Sequence, residues 1–176
     1  MDVVMKLLFD SLQSPIGTLF IVAREGKLVS LDFDGYEERM HRLLKPRYPE
    51  AIFENTKDPC GFTTRMQRYF EGDMGVLETF EVETGGTPFQ QEVWMALREI
   101  PAGSTWSYAQ LARRVGRPTG FRAVGAANGL NPVAIVLPCH RVIGSNNSLT
   151  GYGGGLHRKR WLLQHENALP EKLFED

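Results

Sequence analysis

The chain has 176 residues, of which 42% are hydrophobic and 23% charged, a composition typical of globular proteins with one domain or two small ones. No apolar run approaches the roughly 18 residues of a membrane helix and the N-terminus lacks a signal-peptide pattern, so we expect an intracellular protein, cytoplasmic or, in a eukaryote, nuclear. Two cysteines exclude a disulfide framework and match no zinc spacing, and a net charge of −1, taken alone, argues against a nucleic-acid partner.

Residues 5–33 alternate short apolar runs with turn signals, which predicts a meander of antiparallel strands. Two short amphipathic helices follow, one over residues 36–44 and one from Phe62 to a stop at Gly72. Nothing before residue 80 brings together residues for catalysis, so we interpret this part as a scaffold.

Residues 83–88 form the best candidate linker, because they combine glycines with a proline where the charge balance changes sign. The residues that follow predict a helix. Thr87 is its predicted N-cap and Gln90 completes a capping box, and residues 101–103 close it.

Two further short helices have the proportions of a helix-turn-helix. The first starts at the capping box Ser107-Tyr108-Ala109-Gln110 and ends near Gly116. The second starts at Thr119 or Gly120 and ends at Gly129. A helix that reads the major groove needs long hydrogen-bonding side chains, whereas this second helix is mostly Gly and Ala. It could press its backbone against DNA, or it could be a core helix.

The charge distribution favours a polyanion. No acidic residue occurs from Ile100 to His165. Eight basic residues lie in that stretch: Arg113, Arg114, Arg117, Arg122, Arg141, Arg158, Lys159 and Arg160. Phosphates neutralised by such charges release counterions, which favours binding. The alternative is a solvated basic face.

The most chemically suggestive residues are Pro138-Cys139-His140-Arg141. They follow the apolar run 133–137, which predicts a buried central strand or core segment, entered through Asn131-Pro132. A histidine can accept the thiol proton and an arginine can favour the thiolate. The alternative is a cysteine that is simply a small buried hydrophobe.

Glu166 is the first acidic residue after Glu99 and is the natural partner to orient His140. Adjacent residues point in different directions, so His140 would reach the thiol through water or a tight turn. Residues 144–148 read as a turn. The glycine-rich residues 151–155 lack the ending of a P-loop and fit a pocket wall better. A last helix is predicted over residues 156–166.

At this point the chain closely resembles the O6-alkylguanine-DNA alkyltransferases, also called methylated-DNA–protein-cysteine methyltransferases. The motifs that carry the resemblance are Thr87-Pro88-Phe89-Gln90, Ser107-Tyr108, Arg122-Ala123-Val124-Gly125, Asn131-Pro132, Pro138-Cys139-His140-Arg141-Val142-Ile143-Gly144, Gly151-Tyr152-Gly153-Gly154 and Leu162-Leu163-Gln164-His165-Glu166. The resemblance implies an α/β (α+β) protein in two domains. Residues 1–85 would be a ribonuclease-H-like antiparallel sheet with helices, and residues 86–176 a mainly helical DNA-binding and alkyl-acceptor domain.

The resemblance also implies roles for individual residues. Cys139 would take the alkyl group from O6-alkylguanine, and from O4-alkylthymine, in one irreversible reaction without a cofactor or metal. Tyr108 would donate a hydrogen bond toward guanine N3, and Asn131 would brace the turn that carries the site. His140, oriented by Glu166, would take the thiol proton. The pocket would use the backbone of Cys139, Val142 and Gly153, with Tyr152 in its wall.

The implied partner is double-stranded DNA that contains the lesion, bound through the minor groove without sequence preference. Arg122 would fill the space left by the flipped base, beside the small residues Ala123, Gly125 and Ala126. The resemblance implies a monomer and leaves cooperative binding along DNA open. Phe121 departs from the alanine of many family members. Two other functions stay open: a lesion-binding protein of the alkyltransferase-like type, and a Cys-His hydrolase.

Overall fold

We describe the protein from a computed structural model, which covers residues 4–144 and 151–168. Apart from Gly144, the turn predicted at residues 144–148 lies outside this part. The chain forms two compact units, Met1–Gly85 and Gly86–Asp176. Within the described residues, no helix is both long and apolar enough to cross a membrane.

The first unit is built on a four-stranded sheet in the order β3-β2-β1-β4. Strands β1 (Lys6–Ser14), β2 (Gly17–Arg24) and β3 (Lys27–Phe33) pair antiparallel, which confirms the predicted meander. Neighbouring side chains in a strand point to opposite faces, and both Ile21 and Val22 are fully buried. The sheet is therefore covered on both faces.

Strand β4 (Ile52–Asn55) runs parallel to β1 at the edge of the sheet, and the sequence analysis missed it. All of its residues are exposed, so no alternation of buried and exposed positions marks it in the sequence. Helices α1 (Glu37–Leu44) and α2 (Phe62–Phe70) lie where the apolar spacing predicts them. The sheet is thus mixed rather than purely antiparallel.

The second unit contains the helices α3 (Pro88–Leu97), α4 (Tyr108–Arg114), α5 (Phe121–Gly129) and α6 (Leu156–His165). Both predicted capping boxes are present, at Thr87 with Gln90 and at Ser107 with Gln110. In each, the N-cap hydroxyl accepts the N3 backbone N–H at 3.1 Å while the glutamine side chain accepts the N-cap N–H. These local signals fix where α3 and α4 begin.

Of the two predictions for residues 133–137, the central strand is wrong and the buried core segment is confirmed. The segment is fully inside the unit, but it folds into consecutive turns, with backbone bonds from Val136 N to Ala134 O and from Leu137 N to Val133 O. Ile135 has φ 71°, a conformation that no strand contains. Burial explains the apolar composition, and the side chain of Asn131 supplies the turn. The segment is therefore a buried turn that leads directly into Cys139.

Candidate active site

Cys139 is the first residue of a short 3-10 helix, Cys139–Arg141, and it is 7% exposed. Asn131 holds the turn before it, since its Nδ2 donates to Leu137 O at 2.7 Å and its Oδ1 accepts from Val133 N at 2.9 Å. One side chain thereby closes both ends of the apolar segment. The thiol sits on a rigid support at the edge of the core.

His140 and Glu166, 26 residues apart in the chain, meet in the interior. His140 Nε2 lies 3.0 Å from Glu166 Oε2, and both side chains are fully buried. Burial lowers the pKa of His140, against the opposing influence of the Glu166 carboxylate, so the imidazole is neutral near pH 7. A carboxylate can only accept, so Nε2 carries the proton and Nδ1 is the basic atom.

His140 Nδ1 is buried and has no hydrogen-bond partner within residues 4–144 and 151–168. No protein donor among these residues therefore competes for the lone pair of this nitrogen. His140 directly follows Cys139, so this basic nitrogen belongs to the residue next to the thiol. The hydrogen bond to Glu166 fixes which ring nitrogen is the basic one.

Arg141, predicted to favour the thiolate, is held by hydrogen bonds to Glu166 and to a backbone carbonyl. Its Nε donates to Glu166 Oε1 at 2.8 Å, one terminal nitrogen donates to Glu166 Oε2 at 3.0 Å and the other to Ile100 O at 2.7 Å. Burial raises the pKa of Glu166, but the charges and hydrogen bonds of His140 and Arg141 more than offset this and keep the carboxylate ionised. Arg141 is thus the fixed counter-charge of Glu166.

A cation that interacts with Cys139 is Lys159, one of the eight basic residues of the acid-free stretch and not part of the predicted basic surface. Lys159 is fully buried, and its Nζ donates to Val142 O at 2.7 Å. Burial lowers its pKa to about 8, while the negative charge of Cys139 acts to raise it. The burial of Lys159 could have been predicted from the sequence. It lies three residues before Leu162 and four before Leu163, so it shares one face of the predicted helix with these apolar residues, both of which are buried.

Tyr108 is brought close to the residues that follow the 3-10 helix by a small sheet of two short strands, which the sequence does not predict. Strand β5 (Trp106–Ser107) pairs parallel with β6 (Val142–Ile143), with Trp106 opposite Val142. Tyr108 follows β5 directly and is half-buried. A side chain added at Gly125 of α5 would lie 3.7 Å from its ring, so Tyr108 lies between α5 and the residues after Cys139.

Two backbone carbonyls of this region accept hydrogen bonds from buried side chains. Cys139 O accepts from Val142 N and from Asn128 Nδ2 at 3.4 Å, a contact that the sequence analysis missed. Val142 O accepts from Lys159.

Tyr152 and Gly153 lie in the turn before α6 and are half-buried. The turn is closed by bonds from Gly155 N to Tyr152 O at 2.9 Å and from Arg158 to Gly154 O at 2.9 Å. Arg158 is therefore anchored inward and does not contribute to a basic surface.

The exposed face of α5 carries Arg122, Ala123 and Ala126, while Val124 and Ala127 are buried. Gly125 is half-buried against Tyr108. Of the eight basic residues counted in the sequence, Arg141, Arg158 and Lys159 are buried. The basic surface is therefore smaller than predicted, and it is concentrated on α4 and α5. No group of metal-ligating side chains that could hold a metal ion occurs within the described residues.

Comparisons with known proteins match both units. Residues 7–84 match a family model described as the ribonuclease-like domain of 6-O-methylguanine DNA methyltransferase, and residues 88–168 match its DNA binding domain. The methylated-DNA–protein-cysteine methyltransferase of Salmonella typhimurium is 48% identical over 168 residues, which cover 94% of this chain and 98% of the relative. The Mycobacterium bovis protein of that name is 41% identical over 163 residues, 91% of this chain and 92% of the relative.

Solved structures give the same result. The crystal structure of Mycobacterium tuberculosis OGT in complex with DNA superposes with a TM-score of 0.76 at 38% identity, covering 94% of this chain and 97% of that chain. The crystal structure of Mycobacterium tuberculosis O6-methylguanine methyltransferase gives a TM-score of 0.73 at 37% identity, with 96% and 99% covered.

Proposed function

Because this chain belongs to the 6-O-methylguanine DNA methyltransferase family, we propose that it repairs DNA by direct reversal, with Cys139 as the alkyl acceptor. Membership confirms the resemblance drawn from the motifs. The family models and the structural similarity likewise confirm the fold class.

The observation that carries the proposal is the state of His140. Its Nε2 is held by Glu166 at 3.0 Å, and its buried Nδ1 has no partner within the described residues. We propose that the thiol proton passes to Nδ1 through water, which leaves a thiolate beside the Lys159 ammonium. Thiolate is the nucleophilic form of cysteine. Asn131 serves as a positioning residue by holding the turn that presents the thiol.

The transfer itself is a single displacement. The sulfur electron pair forms an S–C bond to the alkyl carbon, the C–O6 bond breaks, and its electron pair moves onto the guanine. Tyr108 donates its hydroxyl proton to guanine N3, so that the base leaves neutral. The phenolate then regains a proton from solvent, while His140 returns the thiol proton to solvent, and the protons balance. The Val142 carbonyl holds the exocyclic amine of the base, the Gly153 N–H lies toward O6, and Tyr152 forms part of the pocket wall.

The thioether product at Cys139 has no route back to thiolate, so each protein molecule acts once. Both electrons of the new bond come from sulfur, and the step requires no cofactor. O4-alkylthymine presents an alkylated oxygen of the same kind, and we include it as a second substrate.

On DNA, we propose that α5 lies in the minor groove, where Ala123, Gly125 and Ala126 allow close approach without reading sequence. A base within the stack is out of reach of the thiol, so the damaged nucleotide must flip out, and Arg122 fills its place. The protein acts as a monomer in the compartment that holds the DNA, the cytoplasm or a eukaryotic nucleus.

Intact mass spectrometry tests this function. The protein is mixed with an excess of a duplex that contains one O6-methylguanine. The expected result is the gain of one methyl group per chain, mapped to Cys139, with repair stopping at one equivalent. The Cys139→Ala variant should gain nothing, whereas Cys60→Ala, at the exposed second cysteine, should behave as the wild type.

Other outcomes would identify the alternatives. Unchanged mass with continued release of product would indicate a Cys-His hydrolase. Tight binding of the damaged duplex without any change in mass or in the lesion would indicate a lesion-binding protein. Either result would refute the transfer.

A further inference from the structure

We propose that Phe121 is a second wedge residue, which inserts an aromatic ring between bases next to the position taken by Arg122 and stabilises the flipped state of the damaged nucleotide. This inference rests on the proposed function and adds a positioning residue to it.

The first observation is exposure. Phe121 is the first residue of α5 and is 51% exposed, an unusual state for a large aromatic side chain. Leu130, just past the other end of the helix, is 40% exposed. Between them the exposed positions carry only small or polar side chains apart from Arg122, which is also exposed. Phe121 and Arg122 are therefore the two long side chains that project at the start of this helix.

The second observation is direction. Residues four apart lie on one face of a helix, with Cβ atoms about 5–6 Å apart. Phe121 is four residues before Gly125, and a Cβ at Gly125 would face the ring of Tyr108 at 3.7 Å. Phe121 therefore lies on the side of α5 that faces Tyr108, the residue proposed to touch the flipped base. Arg122 is one residue on, about 100° around the helix axis.

The third observation concerns what such a ring can bind. A phenyl ring cannot pair with phosphate, so its favourable partners on DNA are bases and sugars. Proteins that approach DNA through the minor groove often insert apolar side chains between base steps and partly unstack them. The small residues Ala123 and Ala126 let the helix backbone approach closely, so a long side chain beside them would extend past the groove floor. Phe121 and Arg122 would then enter the duplex together, one stacking and one replacing the lost base.

The test measures transfer rates from duplex and from free base in parallel. Phe121→Ala should slow methyl transfer from an O6-methylguanine duplex about tenfold or more, the range expected when one base–aromatic stack is lost. Transfer from the free base O6-methylguanine should change by less than about twofold, since no flipping is involved. Phe121→Gln, which keeps the length but not the apolar ring, should behave like Phe121→Ala. Leu130→Ala is the matched control and should react like the wild type with both substrates.

A second readout separates flipping from chemistry. In a Cys139→Ser background, a 2-aminopurine base placed next to the lesion should brighten on binding when Phe121 is present and much less with Phe121→Ala. Equal duplex rates for wild type and Phe121→Ala, or an equal loss with the free base, would overturn the inference. If the wild type transfers no methyl group from the duplex, the proposed function itself fails, which is a distinct result.

Discussion

Replacing Lys159 with Met should remove a contribution to the free energy of unfolding that grows as the pH rises from about 8 to 10.5. The ammonium of Lys159 is fully buried with Val142 O as a hydrogen-bond acceptor, and burial lowers its pKa from 10.5 to about 8. Between these two pH values the unfolded chain holds a proton at this residue that the folded chain has lost. The unfolded state then binds more protons, so the free energy of unfolding increases with pH in this window.

The size of the effect follows from the same two values. A pKa lowered from 10.5 to about 8 corresponds to about 3 kcal/mol, at about 1.4 kcal/mol per pH unit. Integrated from pH 7 to pH 10, the contribution of Lys159 to the free energy of unfolding rises by about 2.5 kcal/mol. The thiolate of Cys139 acts to raise this pKa, so in a Cys139→Ser background the rise should begin at a lower pH.

The assay is urea denaturation at several pH values between 7 and 10, followed by tryptophan fluorescence. All three tryptophans, Trp94, Trp106 and Trp161, belong to the unit that contains Lys159, so the signal reports on the relevant part. The wild-type free energy minus that of Lys159→Met should grow with pH across this range. Arg113→Met, which removes an exposed cation from the same unit, should run parallel to the wild type. Parallel curves for wild type and Lys159→Met would refute the reasoning.

Two further predictions concern the support of the site. Glu166→Gln leaves the buried charge of Arg141 without its carboxylate and should lower the free energy of unfolding by about 3–5 kcal/mol. The control Glu99→Gln breaks the exposed pair with Arg114 and should lower it by less than about 1 kcal/mol. Folding lowers the pKa of Glu166, so the difference in the free energy of unfolding between wild type and Glu166→Gln should stay constant down to about pH 5 and shrink as the pH falls below 4.5. A difference that vanishes already at pH 6 would contradict this. Asn131→Ala removes two buried hydrogen bonds and should lower the free energy of unfolding, measured by urea denaturation, by about 2–4 kcal/mol. The control Asn128→Ala removes one bond of 3.4 Å and should lower it by about 1 kcal/mol. Equal losses in the two variants would disprove the bracing role of Asn131.

The parts predicted well from the sequence are those in which neighbours along the chain decide the structure. The capping boxes at Thr87 and Ser107 join residues only three apart, so the sequence places the starts of α3 and α4 correctly. The turns between β1, β2 and β3 are equally local. Strand β4 depends instead on pairing with β1, more than forty residues earlier in the chain, and its exposed residues leave no pattern to find.

Residues 133–137 show how composition can mislead. Five apolar residues indicate burial, and burial is what they have, but the same composition suits a strand or a buried turn. The choice is made by Asn131, whose amide bonds to both ends of the segment. A polar side chain that replaces backbone pairing leaves no periodic signal.

What the sequence determined by itself was the chemistry available: a cysteine after an apolar run, a histidine beside it, an isolated glutamate and a small-residue helix with one arginine. That a lysine distant in the chain interacts with the thiol was decided only by the tertiary structure. Arg141 is adjacent to the site in the chain but turns to Glu166, while Lys159, 20 residues after Cys139, is buried close enough for the two charges to interact. The reason is physical, since a buried charge must find an opposite charge or a hydrogen-bond acceptor, and only the folded chain sets which of these is within reach.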